Sequence, residues 1–364
     1  MPDFIPGLKL SHQFYTEIIS PLLSQKYGHI KYSVALIGSG SEVLGFDTVR
    51  STDHHWGPRL MIFLSAIDYE RYAAEISQYL SDSLPYSFRG YSTNFTPPNL
   101  EDNGVRLLKK IDSGSVNHMI DFHTIQNYFT NYLGIDPYNQ LSSIDWLTLP
   151  EQRLLTITAG AVFHDGLSDL KPIQEKFKYY PLDVWLYLLS AQWTRISQEE
   201  PFMGRCGEVG DELGSRIIAA RLIRDLMKLC FLMEKKYAPY SKWFGTAFSQ
   251  LECASKLKHH FLAVLSSDTW HKREQPLVQA YEKVLNLHNN LQITKPVEVK
   301  TSHFHGRPFQ VIHAERIAAQ ILEKIQDPAI KALQTPIGAL DQYANSTDLT
   351  TSPHLYRRLK ILYE

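Results

Sequence analysis

Leu10, Phe14, Ile18, Leu22 and Leu23 recur at steps of three and four, which predicts an amphipathic helix over about residues 9–26, bent before Pro21. The pattern then changes to short β-prone runs. YSVALI, residues 32–37, reads as a strand that stops at the GSGSE turn, and the apolar run Leu60–Leu64 reads as a second strand reached through a short helical or irregular link. Residues 94–104, NFTPPNLEDNG, are rich in turn formers and predict an exposed loop, and HMIDFHTI, residues 118–125, predicts another strand of the same region. Character changes again across PYNQLSSIDWLTLPEQ, residues 137–152, beyond which nearly every long segment has helical spacing. The clearest runs from about Asp211 to Tyr237, where Leu213, Ile217, Ala220, Ile223, Met227 and Cys230 share a stripe. Asp211 and Glu212 at its start and Lys235 and Lys236 at its end suit the helix dipole. Further helices are predicted near 182–198, 243–265, 276–290 and 313–325, with no internal repeat.

A chain of 364 residues with 44% hydrophobic residues is long enough for two ordinary domains with substantial cores. Its 37 Lys+Arg balance 38 Asp+Glu, and the net charge of −1 disfavours nucleic acid or an anionic membrane as a partner. Three cysteines, Cys206, Cys230 and Cys253, are too scattered for a disulfide framework or a zinc ribbon, which points to a reducing cytoplasm. MPDFIPGLKLSHQF lacks the pattern of a signal peptide, and the apolar stretch around Leu154–Phe163 is too short to span a bilayer. The expectation is an unexported protein with no membrane partner.

The chemistry concentrates in GSGSEVLGFDTVRSTDHHW, residues 38–56. A Gly-Ser turn after a strand, Gly38, Ser39, Gly40 and Ser41, offers backbone N–H groups and hydroxyls that can hold phosphate oxygens. After thirteen intervening residues, Asp53 opens an Asp-x-His triplet. If that segment is extended, Asp53 and His55 project to one face and could share a divalent ion that bridges the phosphates. The plainer alternatives are an ordinary glycine turn and an Asp that caps its own backbone turn.

Gly38-Ser39, a gap of thirteen, then Asp53-His54-His55-Trp56 resembles the signature of the polymerase-β-type nucleotidyltransferase superfamily. The strings GSGSEVLGFDT, STDHHWGPRL, FHDG, GDELGS and YAPYSKWFGTAF further resemble a bacterial family of unassigned function placed in that superfamily. The resemblance implies an α/β (α+β) nucleotidyltransferase-type domain with a mixed sheet, taken as residues 1–145, followed by an all-α helical domain, 146–364, that contributes to substrate or acceptor binding. It also implies transfer of a nucleoside monophosphate from an NTP, ATP foremost, to a hydroxyl of a small-molecule acceptor with Mg²⁺ or Mn²⁺. Ser39 would contact phosphate, Asp53 and residue 55 would bind metal, and a third acid would lie on a later strand. Asp121 is the candidate there, as metal ligand or as the base that takes the acceptor proton, ahead of Asp68 in AIDYERY.

His55 departs from the pattern. A neutral imidazole replaces a hard carboxylate and removes a negative charge, so weaker Mg²⁺ binding, a different ion, or nucleotide binding without turnover all follow from it. A catalytically impaired nucleotide-binding or regulatory protein, and a transferase acting on a protein or RNA partner, are the alternative functions. In YAPYSKW, residues 237–243, Lys242 is expected to neutralise triphosphate or to rim a packing surface. Arg221, Arg224 and Lys228 form a basic stripe expected to be solvated, with Asp225 pairing Arg221, while His259-His260 and HFHG, residues 303–306, lack a third ligand. The acceptor, the preferred base and the oligomeric state are left open by the chain.

Overall fold

The computed structural model describes residues 3–333 and 335–364, and the chain separates into two compact units. The first contains residues 1–140 and 153–178; the second contains 141–152 and 179–364. The chain thus passes between the units three times, after residues 140, 152 and 178.

The first unit is organised on a mixed four-stranded sheet. Its strands are β1 (Tyr32–Leu36), β2 (Arg59–Leu64), β3 (Met119–His123) and β4 (Ala161–Asp165), in the order β3-β2-β1-β4. β1 is antiparallel to both β2 and β4, and β2 is parallel to β3. β4 falls in the stretch expected to be helical. Its five residues, AVFHD, are mostly half-buried and carry too little apolar alternation to announce a strand; pairing with β1 makes it one.

Alternation along the strands divides the sheet into two faces. Val34, Leu60, Ile62, Leu64 and Ile120 face the N-terminal helical segment, where Leu10, Phe14, Ile19 and Leu23 are buried. That segment runs from Gly7 to Tyr27 with a π-helical turn at Tyr15–Ile19, immediately before the expected bend at Pro21. Helix α1 (Ala66–Ser83) closes the same core with Ile76 and Leu80. The opposite face carries Ala35, Met61, Phe63, Asp121 and His123, over which α2 (Ile125–Leu133) lays Tyr128, with ring centroids 5.5 Å from Phe63 and 5.3 Å from His123. Helix α3 (Glu151–Ala159) leads into β4.

The second unit is helical. Its long members are α4 (Leu182–Glu199), α5 (Glu212–Met233) and α6 (Trp270–Asn290), with α7 (Ala314–Leu322) packed on α4. The side chain of Asp211 caps α5 by accepting the Gly214 N–H at 2.7 Å. The stretch expected as one helix over 243–265 is two, Ser241–Phe248 and Ala254–Ser266. Among the described residues no helix is long and apolar enough to cross a membrane.

Candidate functional site

The chain leaves β1 and turns sharply through Gly38, Ser39 and Gly40 with φ of 85° at Gly38 and 145° at Gly40, conformations that glycine adopts without a Cβ penalty. Gly38 is buried and Ser39 is exposed, so the turn offers a hydroxyl and main chain to solvent from a fixed base. Two contacts fix it. The Gly38 N–H donates to the Thr156 carbonyl at 3.0 Å, and the Arg59 guanidinium donates to the Ser39 carbonyl at 2.7 Å.

Arg59 opens β2 and is buried, as is its partner Glu42. Nε and one terminal nitrogen of Arg59 reach the same Glu42 oxygen at 2.8 and 2.5 Å. The pair locks the turn to the edge of the sheet, and Arg59 is thereby a structural anchor through Glu42. Leaving β1, the loop is held at a second point by Asp47, whose carboxylate accepts the Gly7 N–H at 2.7 Å and the Trp56 indole N–H at 2.9 Å.

The segment that carries Asp53 is not extended. Residues Val49–Asp53 form a 3₁₀ helix, His54 is extended, and His55 has φ of 49°, so the period-two argument for a shared face does not apply. The Asp53 side chain is 60% exposed and pairs with the His54 Nδ1 at 2.8 Å. The His55 N–H donates to the Arg106 carbonyl at 2.9 Å, which brings the 106 segment beside it. Burial lowers the His55 pKa below the ordinary imidazole value, and His54, Arg59 and Arg106 lower it further while Glu42 opposes them. The imidazole is therefore held neutral near pH 7, the form that can accept a proton or ligate a cation.

Asp121 is an exposed residue on β3, opposite Met61 of β2. It is felt electrostatically by Arg106 and by His123, whose pKa is lowered chiefly by burial. Arg106 donates to the Thr96 and His118 carbonyls at 3.1 and 3.2 Å, which fixes a cation beside the start of β3. The hydroxyl of the buried Tyr128 has no hydrogen-bond partner and sits 2.5 Å from where a Cβ on Gly38 would lie. An orphaned buried donor against the turn is a group that a ligand or water would satisfy.

Electrostatically, His55 feels Arg59, Arg106 and Glu42, and Arg106 in turn feels Asp121. Among the described residues no group of three or more His, Cys, Asp or Glu side chains is arranged to hold a metal ion. Lys242 lies in the second unit, exposed on the first turn of Ser241–Phe248, with its ammonium 5.2 Å from the Trp243 ring. The basic stripe of α5 is not a solvated row. Arg221 pairs with Glu199, Arg224 donates to Asn345 at 2.5 Å, Lys228 donates to the Asp341 carbonyl, and the buried Asp225 pairs with Arg195 at 3.5 Å, not with Arg221.

Arg106, Glu42 and Tyr128 were invisible as site residues in the sequence. Glu42 lay inside the GSGSE string, but only its burial against Arg59 shows what it does.

The first unit is, then, a mixed α/β sheet domain with a glycine-serine turn at the end of β1 whose Ser39 is exposed. Residues 146–244 match the family model described as a domain of unknown function, DUF4037, a span of less than half of the chain. No curated protein matches it. Among solved structures, the chain is similar to a nucleotidyltransferase-like protein from Exiguobacterium sibiricum 255-15, at 8% identity and a TM-score of 0.31, over 81% of this chain and 82% of that one.

Proposed function

We propose that the first unit binds a nucleoside triphosphate at the Gly38–Ser41 turn and transfers its nucleoside monophosphate to a hydroxyl of a small-molecule acceptor. The observation that carries this reading is the turn itself: two glycines at positive φ flank an exposed serine, held from beneath by the buried Arg59–Glu42 pair. Such a turn is preorganised to meet phosphate oxygens with main-chain N–H groups and a hydroxyl, and it needs no rearrangement to do so.

In this reading Ser39 and the turn hold the phosphates, and Tyr128 donates its otherwise orphaned hydroxyl to the ligand or to a water beside it. Asp121 accepts the proton of the attacking hydroxyl, the oxygen bonds to the α-phosphorus, and pyrophosphate departs. Asp53, His55 and Asp121 are the residues that would hold Mg²⁺ or Mn²⁺, which would offset polyphosphate charge. Among the described residues these side chains are not gathered into a metal-holding group, so the ion would have to take most of its ligands from phosphate and water.

That ungathered arrangement and the imidazole at residue 55 also favour a second reading, nucleotide binding without turnover. One experiment separates the two. The protein is incubated with α-labelled NTPs, each with Mg²⁺ or Mn²⁺, and with a metabolite extract; label on a small molecule together with released pyrophosphate supports transfer. Saturable ATP binding without release supports the binder, and no binding with either metal refutes both.

A further inference from the structure

In the second unit, residues 301–315 bring a hydroxyl, an imidazole and a carboxylate into line. Two short strands, β5 (Ser302–His303) and β6 (Gln310–Val311), form an antiparallel hairpin in which Ser302 stands opposite Val311. Just beyond it, His313 precedes α7 and Glu315 lies in the first turn of that helix. The Ser302 hydroxyl and His313 Nε2 are 2.9 Å apart, and a Glu315 oxygen lies 3.6 Å from His313 Nδ1. Ser302 is exposed, whereas the His313 side chain is only 22% exposed, so a reagent in solvent reaches the hydroxyl while the imidazole is partly covered.

Both halves of the pair are pinned. On the hairpin, Thr301 Oγ1 donates to Gln310 Oε1 at 3.0 Å, and the Gln310 N–H donates to Glu274 of α6 at 2.9 Å. Phe309 is buried so close to Gly204 that a Cβ there would lie 2.4 Å from it. His313 is fixed from the other side. Its backbone has φ of 55° and ψ of 53°, a left-handed conformation that a residue with a Cβ keeps only where its surroundings impose it. Here the buried Glu200, which follows α4, imposes it: its two oxygens accept the N–H groups on either side, Ile312 at 2.6 Å and Ala314 at 3.2 Å. With the main chain clamped at 312 and 314, the imidazole keeps little freedom beyond rotation of its own side chain, and the contact with Ser302 takes up that.

The carboxylate selects the tautomer. A negative charge beside Nδ1 favours the ring proton there, which leaves the Nε2 lone pair to accept the Ser302 O–H. A spacing of 3.6 Å is longer than a hydrogen bond and lies at the loose end of such arrangements without substrate. The geometry points to a second reactive site, in which Ser302 is a nucleophile towards small activated acyl esters, His313 is its general base and Glu315 positions the imidazole. Because Ser302 is exposed, the acyl groups it takes are short ones presented from solvent; a long chain would need a buried groove. The site stands in the helical unit and does not depend on nucleotide transfer.

The chemistry is a substitution with no change of oxidation state. Ser302 Oγ bonds to the acyl carbon as its proton moves to His313 Nε2, the bond from that carbon to the ester oxygen breaks, and the departing oxygen takes the proton from the imidazolium. Water then attacks the acyl-serine with the same imidazole as base, and the carboxylic acid leaves as the proton returns to Oγ. Glu315 offsets the charge of the imidazolium in both halves. A base placed in this way is worth about 10²–10⁴ in rate, so Ser302 should stand out from the other serines of the chain by at least about tenfold.

The test is labelling of the full chain with a small alkyl fluorophosphonate, from which Ser302 Oγ displaces fluoride, followed by peptide mapping, with p-nitrophenyl acetate as the turnover probe. Expected are label on Ser302 at least about tenfold faster than on any other serine, and a burst of p-nitrophenolate that Ser302→Ala removes. His313→Asn, a change that keeps tolerance of positive φ, should slow the labelling of Ser302 at least about tenfold, and added imidazole should restore part of the rate. Glu315→Gln should slow it by several-fold, with Glu315→Asp nearer to wild type, a rescue that a merely structural side chain would not show. If His313→Asn does not fold, the wild-type label map and Ser302→Ala decide. The inference is overturned by no label on Ser302, by label spread evenly over the serines, by a burst that survives Ser302→Ala, or by a labelling rate indifferent to His313→Asn.

Discussion

Removing the carboxylate of Glu42 is the sharpest perturbation of the first unit. In Glu42→Gln the Arg59 guanidinium remains, with side-chain exposure of 9%, and the oxygen it reaches with two nitrogens at 2.8 and 2.5 Å becomes a neutral amide oxygen that can still accept but no longer carries the opposing charge. An uncompensated cation left in such a place costs about 3–5 kcal/mol, whereas replacing both partners by apolar residues of similar size is often near neutral. Glu42→Leu combined with Arg59→Met should therefore be more stable than Glu42→Gln alone, although it also leaves the Ser39 carbonyl without its 2.7 Å donor. The double variant is expected to recover about half or more of the loss. Global denaturation would blend the two units, so the assay is native-state hydrogen exchange read on peptides spanning residues 32–64. Nucleotide binding serves as a second readout, because the double variant keeps the fold but frees the turn. The reasoning is refuted if Glu42→Gln changes the exchange free energy by less than about 1 kcal/mol, or if the double variant is no better than the single one.

Asp53→Asn should abolish metal-dependent ATP binding while leaving the melting temperature within about a degree, since a 60% exposed side chain paired only with His54 contributes little; undiminished binding removes Asp53 from the site. Tyr128→Phe should be neutral or mildly stabilising because it deletes an unsatisfied buried hydroxyl, yet weaken ATP by several-fold in equilibrium dialysis, and unchanged affinity would detach that hydroxyl from the ligand. Burial lowers the pKa of His288, fully buried against Trp193, to about 4. The unfolded chain binds more protons below pH 6.5, so the stability of the second unit is complete above that pH and falls by about 3 kcal/mol as pH drops from 6.5 to 4. Urea titrations at those two pH values, with His288→Gln as the variant expected to lose the slope, check it. Gly207→Ala would place a Cβ 2.1 Å from the Trp270 ring and should cost about 1–3 kcal/mol by thermal denaturation.

The central strands were legible because their apolar runs abut glycines, Gly38 after β1 and Gly57 before β2, and the long helix at 212–233 because its stripe and charged ends agree. Helix α1 was harder to read. AIDYERYAAEISQYLSDS buries little beyond Ile76 and Leu80, so its helical period is faint in the apolar residues. The 3₁₀ turn at 49–53 is set by a reciprocal Thr48–Ser51 cap, a local contact that β-propensity does not anticipate. Charge partners were the least visible of all. Asp225 is four residues from Arg221, the spacing of a helix-surface pair, but it is buried and met by Arg195 from α4. Pairing of that kind is decided by which face of α5 is covered, and a one-dimensional pattern does not carry that.

The return of residues 153–178 to the sheet has a consequence for making and cutting this protein. β4 supplies the outer neighbour of β1, and the chain emerges from the ribosome in order, so the nascent sheet keeps a bare strand edge until the segment 141–152 and then β4 have been synthesised. An expression fragment ending near residue 145 would carry that raw edge permanently, with the main-chain groups of Ser33 to Leu36 free to recruit a foreign strand. Such a fragment should come out of cells as inclusion bodies, whereas one that extends through residue 178 should not.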